Sequence, residues 1–124
     1  MSITTISPHN ATARLPLPEV VRQLNSHLGP TLVAAAAGVK DRGLPTKWAR
    51  PDGPRPRPAA ETRLLKTHAL FFSIAQAESD HVARSWMIGS NPLLDDDTPI
   101  TAIREDRYKD VSAAATAFLE GTPA

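Results

Sequence analysis

The segment AAETRLLKTHALFFSIAQAE, from Ala59 to Glu78, has the pattern of a long, partly buried helix. Its large apolar residues recur at three-to-four spacing, which places them along one face of an α-helix. They are Leu64, Leu65, Phe71, Phe72 and Ala75, and His68 falls in the same stripe. We therefore predict one helix across this segment and expect it to form the centre of the hydrophobic core.

Short helices separated by glycine and proline are predicted before this segment. The first begins at Pro18, because proline suits the first helical turn and Glu19 complements the positive helix end. Its buried face would hold Leu17, Val20, Val21, Leu24 and Leu28. Gly29 and Pro30 would end this helix and begin an alanine-rich one, which Gly38 would end in a left-handed conformation.

A basic stretch follows, VKDRGLPTKWARPDG at residues 39–53. It predicts a helix that begins at Asp41 or at Leu44-Pro45 and ends at Pro51. Two short helices joined by a glycine turn, the second rich in Lys and Arg, have the outline of a helix-turn-helix. The overlapping PDGPRPRP has four prolines in eight residues and therefore predicts a stiff loop that displays Arg55 and Arg57.

Three helices are predicted after the long one. Ser79 is a natural N-cap for the first, which Gly89 would end. Thr98-Pro99 repeats a helix-start pattern and would open a short helix through Ile103. The last helix spans roughly residues 107–119. Since no stretch alternates as a strand would, we predict an all-α fold, a bundle of six or seven short helices.

The four histidines do not indicate a metal or catalytic site. The only close neighbours among histidines and carboxylates are Asp80 and His81, and adjacent helical residues point in different directions. His68 lies in an apolar stripe, which favours a hydrogen-bonded core histidine over a ligand. His9 and His27 have no partner at ligand spacing.

The acidic triplet Asp95 to Asp97 lacks the alternating ligands and central glycine of a calcium loop, so a solvated acidic loop explains it better. There is also no phosphate-binding loop, nucleophile motif or paired-carboxylate framework. We therefore expect no enzymatic activity, no metal and no cofactor.

The composition fits a cytoplasmic protein. There is no cysteine, the N-terminus has no signal pattern, and no apolar run approaches the roughly 20 residues that span a bilayer. Residues 1–16 are Ser/Thr-rich without periodicity, and we expect them to form a flexible tail. We expect residues 17–57 to form a helix-turn-helix-like region and residues 58–124 to form a second helical unit.

Charge is unevenly divided along the chain. Residues 1–68 hold ten basic and four acidic residues, a net of +6, whereas residues 69–124 hold four and nine, a net of −5. The basic set is concentrated within eighteen residues and could neutralise several phosphates. Its members are Lys40, Arg42, Lys47, Arg50, Arg55 and Arg57. If the helix here includes both Lys47 and Arg50, their spacing places them on one face, towards a DNA duplex. The alternative is a solvated basic loop.

The block ARSWMIGSNPLLDDDTPITAIRED, residues 83–106, is rich in large apolar residues for its length. Some must close the small core, and others would form a surface patch that binds a partner. Trp86 fits both interpretations equally well. Asn91-Pro92 predicts a turn, because asparagine can bond its own backbone and proline fixes the next backbone angle.

This block resembles the toxin-binding domain of Xre/MbcA/ParS-like antitoxins. The matching positions are Ala83, Trp86-Met87, Asn91-Pro92, Leu94 and Pro99. The basic stretch with its Trp48-Ala49-Arg50 run is similar to the helix-turn-helix half of the same family, and the resemblance covers roughly residues 17–120. The family usually has a Gly-Gly-like turn where this chain has Asp95-Asp96, and a Leu-Leu pair where it has Ala102-Ile103.

The resemblance implies an antitoxin that binds a RES-domain toxin, an enzyme that degrades NAD. It implies that the last helix and the C-terminal tail, here Phe118, Leu119 and EGTPA at residues 120–124, cover the entrance of the toxin's active site. The toxin-binding residues would be Trp86, Ile88, Asn91, Pro92, Leu94, Pro99, Ile103, Phe118 and Leu119. The basic half would bind the operon's own promoter, as a homodimer or within a larger complex with the toxin.

Two other functions remain open from the sequence. A stand-alone helix-turn-helix regulator would bind an operator but have no toxin partner. An adaptor would bind a protein and have only an incidental basic stretch.

Overall fold

The computed structural model describes residues 15–121, and this part of the chain is helical without any β-strand. The predicted all-α class is therefore confirmed. The helices are α1 (Leu17–Leu28), α2 (Pro30–Ala37), α3 (Leu44–Trp48), α4 (Pro58–Ala77), α5 (Asp80–Ile88), α6 (Pro99–Arg104) and α7 (Tyr108–Leu119), with a 3₁₀ turn at Pro92–Leu94. The predicted N-terminal tail lies outside the described residues except for Leu15 and Pro16, as do residues 122–124.

The long helix α4 is the centre of the bundle, as predicted. It packs against α1, α2, α5, α6 and α7. Leu64, Phe71 and Ile74 on this helix are fully buried, and His68 is almost so. One hydrophobic cluster includes residues from α1 through α7, so the two functional units expected from the sequence share a single core.

Glycines and side-chain caps set the helix ends where the sequence indicated them. Gly38 takes the left-handed conformation after α2, with φ of 78° and ψ of 27°. Ser79 accepts a hydrogen bond from the backbone N–H of Val82 at 3.1 Å, and Thr98 accepts one from that of Thr101 at 3.1 Å. These caps pair N–H groups that the first turn of a helix leaves without an intrahelical acceptor.

One prediction about the helices was wrong in detail. Helix α3 ends at Trp48, so Arg50 is outside the helix, and Lys47 and Arg50 do not share a helical face. The residue before a proline is disfavoured in helical conformation, which explains why the helix ends before Arg50 and Pro51. At the other end of the chain, Phe118 and Leu119 are exposed, whereas Val111 and Ala115 on the same helix are buried.

Within residues 15–121, none of the helices combines the length and the apolar character that a membrane crossing requires.

Candidate functional site

The exposed large apolar side chains of the described region all come from its last third. They are Ile88, Leu93, Phe118 and Leu119. Trp86 is half-buried, and its ring lies 6.2 Å from that of Phe118, which brings α5 and the end of α7 together. We call these five residues the apolar surface. Exposed aliphatic and aromatic side chains of this kind are typical of protein-binding surfaces.

The predicted toxin-binding residues divide into three groups by exposure. Ile88, Pro92, Phe118 and Leu119 are exposed, and Trp86 and Asn91 are partly buried. Leu94, Pro99 and Ile103 are buried, the first and last of them completely. A partner that docks on this chain as it is folded would reach the first two groups, and the third would support them from beneath.

A closed loop joins α5 to α6 and carries the acidic triplet. The side-chain Oδ1 of Asn91 accepts the backbone N–H of Leu93 at 2.9 Å, as the sequence suggested. The backbone carbonyl of Asn91 accepts the N–H groups of Leu94 and Asp96, both at 2.9 Å. Because one residue binds three others in the loop, Leu93 and the first aspartates are held in a defined arrangement.

The loop requires left-handed backbone at two aspartates. Asp95 has φ of 57° and Asp96 has φ of 66°. Glycine adopts this conformation without steric cost, and aspartate tolerates it better than most residues. The antitoxin family that the sequence resembles usually has a Gly-Gly-like turn at these two positions. The aspartates therefore differ from the family in sequence but adopt a backbone conformation that glycine favours.

Arg107 contacts four acidic residues of this region. The sequence did not indicate this cluster. Its guanidinium contacts carboxylates of Asp97 at 2.9 Å, Glu105 at 3.4 Å, Asp110 at 3.6 Å and Asp95 at 3.8 Å. Partial desolvation opposes its charge, but the hydrogen bonds to Asp97, Glu105 and Asp110 prevail and raise the pKa of Arg107. One cation faces four carboxylates, so the surface around it is acidic.

His27 and His68 form an aromatic cluster with Phe71 and Phe72, between α1 and α4. His68 is buried, its Nε2 lies 2.8 Å from Oε1 of Gln23, and its ring centroid is 4.5 Å from that of Phe72. The structural role predicted for His68 is therefore confirmed. Burial, with a smaller contribution from His27, lowers the pKa of His68 to about 4. His27 pairs with Asp80 at 2.9 Å, a contact that the sequence did not indicate.

The six cations predicted to bind DNA are all exposed. They surround α3 and the proline-rich loop. Trp48 at the end of α3 is almost fully buried and lies beside Pro54 and Pro56 of this loop. The amide of Asn25 on α1 donates a hydrogen bond to the carbonyl of Pro45 at 3.0 Å and fixes the start of α3. Arg55 pairs with Glu61 at 3.0 Å, which makes Arg55 less available to a ligand than the other five.

No arrangement for metal chemistry accompanies these surfaces. Within residues 15–121, no group of three or more His, Cys, Asp or Glu side chains is placed to hold a metal ion. The described part of the chain is a helical bundle with basic and acidic regions and an exposed apolar surface.

Comparison with known proteins identifies the family. The chain is 32% identical over 89 residues to a protein of Mycobacterium tuberculosis described as a probable mycobacterial cidal antitoxin. The similarity covers 72% of this chain and 74% of that protein. The chain therefore belongs to this family of antitoxins. No family model matches the chain, and no solved structure matches it significantly.

Proposed function

We propose that this protein is the antitoxin of a type II toxin–antitoxin system and neutralises its toxin by direct binding. The observation that carries the proposal is its similarity, over almost three quarters of both chains, to the mycobacterial cidal antitoxin. The exposed apolar surface on α5, the 3₁₀ turn and α7 supports it, because such a surface suits a protein partner. The antitoxin itself would act without catalysis.

The proposed toxin is a RES-domain enzyme that degrades NAD. This choice rests on the resemblance of residues 83–103 to the toxin-binding domain of Xre/MbcA/ParS-like antitoxins. Acidic residues around Arg107 are compatible with it, since an enzyme that binds a phosphate-rich dinucleotide tends to present a basic cleft.

The toxin would contact the accessible members of the predicted set. Ile88, Pro92, Phe118 and Leu119 would be buried on binding, with Trp86 and Asn91 at their side. Leu94, Pro99 and Ile103 would position these residues rather than touch the toxin. The end of α7 would cover the entrance of the toxin's active site. Removing residues 119–124 tests this last point, and full protection from the toxin by the truncated protein would exclude it.

DNA binding at the operon's own promoter is the second part of the proposal. Lys40, Arg42 and Lys47 are exposed cations around the α2–α3 turn, and Arg50, Arg55 and Arg57 continue the basic region. A homodimer on a palindromic operator is the expected form. The alternative function is a stand-alone regulator that binds an operator but no toxin.

Co-expression with the product of the adjacent gene tests the toxin-binding proposal. The wild-type chain should co-purify with the toxin and restore growth. The double variant Ile88→Ser, Leu119→Ser should lose both effects with little change in melting temperature, because the two residues are 45% and 42% exposed and lie outside the buried core. Ala113→Ser, on another exposed face of α7, is the matched control and should retain neutralisation. Failure of the wild-type chain to bind the neighbouring protein would refute the proposal.

A further inference from the structure

A groove of about 490 Å³ lies at the basic end of the bundle. Its walls are the end of α2, helix α3, the proline-rich loop and the start of α4, and much of its lining is apolar, including Leu44, Trp48, Pro54 and Pro56. The charged phosphates of a DNA backbone are a poor match for such a lining. An apolar side chain on a protein segment fits it better.

The arginines of the groove differ in their existing contacts. Arg63 binds Asp106 at 2.9 Å and the carbonyl of Ala37 at 2.9 Å, and Arg55 pairs with Glu61. The side chain of Arg57 is exposed and makes no hydrogen bond or ion pair with any residue in the range 15–121. The groove therefore offers an apolar lining next to a cation that is available to a carboxylate.

The end of α7 has the complementary chemistry. Phe118 and Leu119 are 38% and 42% exposed, and the adjacent Glu120 is an exposed carboxylate. Two large apolar side chains followed by an acid are the combination that an apolar groove bordered by an arginine can bind.

The end of α7 cannot reach the groove of its own chain. Asp106, two residues before α7, binds Arg63 beside the groove. Helix α7 has twelve residues and is about 18 Å long, at about 1.5 Å per residue, and none of its residues lines the groove. Phe118 ends beside Trp86 on α5. Only a second copy of the chain can bring these residues to the groove.

We propose that two copies of this chain associate head to tail, with Phe118, Leu119 and Glu120 of one copy docked in the groove bordered by Arg57 of the other. The association buries part of the apolar surface when no other partner is present. It does not depend on the proposed toxin binding. If that function is also correct, the toxin competes with the second copy for the end of α7.

Sedimentation of the purified full-length chain at low and high salt tests the proposal. The wild type should dimerise or form longer assemblies at low salt, and high salt should weaken the association because exposed charges are screened. Arg57→Glu and Glu120→Lys should each lower the association constant about tenfold, since each replaces attraction by repulsion. Arg42→Glu, with the same change of charge at an exposed position outside the groove, should associate like the wild type.

Mixing the two variants separates this interface from any other dimer. Arg57→Glu supplies an intact Glu120 and Glu120→Lys supplies an intact Arg57, so the mixture should recover an association that neither variant shows alone. The double variant should recover it too, with the charges exchanged. A monomer under all conditions, a dimer that Arg57→Glu leaves unchanged, or a mixture without recovery would each overturn the proposal. None of these results bears on toxin binding, which the co-expression experiment measures separately.

Discussion

Three aspartates adopt backbone conformations that glycine would favour. Their side-chain bonds offset the cost of this conformation to different degrees. Asp106, with φ of 63°, binds Arg63 at 2.9 Å and accepts the hydroxyl of Tyr108 at 2.9 Å. These bonds lower the pKa of Asp106, and burial together with Asp106 raises the pKa of Tyr108 to about 12. The side chain of Asp96 makes no hydrogen bond or ion pair with the described residues. The backbone cost at Asp96 is therefore not offset by its side chain.

Asp96→Gly should stabilise the protein. The substitution removes the steric cost of φ at 66° without removing a hydrogen bond or ion pair of the side chain. We expect a gain of about 0.5–1 kcal/mol, which raises the melting temperature by a few degrees. Thermal unfolding followed by circular dichroism measures the change. Asp96→Ala is the control and should be less stable than Asp96→Gly, because alanine has a Cβ but no polar group. Equal melting temperatures for the two variants would contradict the explanation.

His68 should make stability depend on pH in a defined window. Its pKa is about 4 in the folded protein and about 6.5 without burial, so the unfolded chain binds more protons between these values. The stability of the folded protein is unaffected by this group above pH 6.5, where His68 is neutral in both states. It falls as the pH decreases from 6.5 towards 4, because the unfolded chain takes up the proton first. The pKa difference corresponds to about 3 kcal/mol. Denaturant unfolding at a series of pH values measures this loss.

His68→Gln is the control for this pH dependence, since it cannot gain a proton and keeps a polar side chain near Gln23. The variant should be less stable at neutral pH but should lose much less stability between pH 6.5 and about 4.5. Below that range, Glu19 contributes in both proteins, because its hydrogen bond with Arg22 holds its pKa at about 2. A variant with the same pH slope as the wild type would show that another group causes the dependence.

Arg63 on α4 connects this helix to the end of α2 through a side-chain hydrogen bond. The guanidinium of Arg63 donates to the carbonyl of Ala37 and binds Asp106 before α7, so one side chain connects three helices. A Cβ at Gly38 would lie 2.6 Å from Nη1 of Arg63. Glycine is therefore required here both by its positive φ and by the close approach of the arginine.

Gly38→Ala should destabilise the protein more than Gly29→Ala does. Both glycines have positive φ, of 78° and 88°, but a Cβ at Gly29 meets no atom within 4 Å. The conformational cost is about 1 kcal/mol at each position. Gly38→Ala must also displace Arg63, so we expect a total of about 2 kcal/mol or more. Chemical denaturation of both variants gives the difference, and equal losses of stability would mean that Arg63 moves aside without cost.

The helices could be predicted from the sequence to the extent that local signals define them. Gly38, Ser79 and Thr98 act within a few residues, and their positions were sufficient to place the end of α2 and the starts of α5 and α6. Contacts between distant residues were not predictable in this way. Arg63 and Asp106 are 43 positions apart, and no spacing rule connects them.

The candidate site was predicted as a region but not in its arrangement. Phe118 and Leu119 lie at the end of the last helix and are exposed, whereas Val111 and Ala115 on the same helix are buried. Whether an apolar residue is covered depends on which helices pack over it, and the sequence alone does not give that. Arg107 was missed because its four carboxylate neighbours come together only when the loops on both sides of α6 fold.

The basic region and the acidic region are built on one hydrophobic core, although they carry opposite charge. The cations surround α3 and the proline-rich loop, whereas the carboxylates gather around Arg107 between the 3₁₀ turn and α7. Exposed charges attract over about 10 Å at moderate salt. A DNA backbone and a basic protein surface would therefore be drawn to different parts of the same small bundle.

The proposed DNA binding and the proposed toxin neutralisation should accordingly be separable by mutation. Arg42→Ala and Lys47→Ala remove two exposed cations without disturbing a described hydrogen bond or ion pair of their side chains. We expect the double variant to bind promoter DNA more weakly and to lower the slope of log K against log salt by about 2, roughly 1 for each phosphate that is no longer neutralised. Arg84→Ala, an exposed arginine on α5, is the control and should leave the slope unchanged. Gel shifts at several salt concentrations give the slopes, and co-expression gives neutralisation, which the double variant should retain. A double variant with the wild-type slope would remove these cations from the DNA interface and favour a solvated basic loop instead.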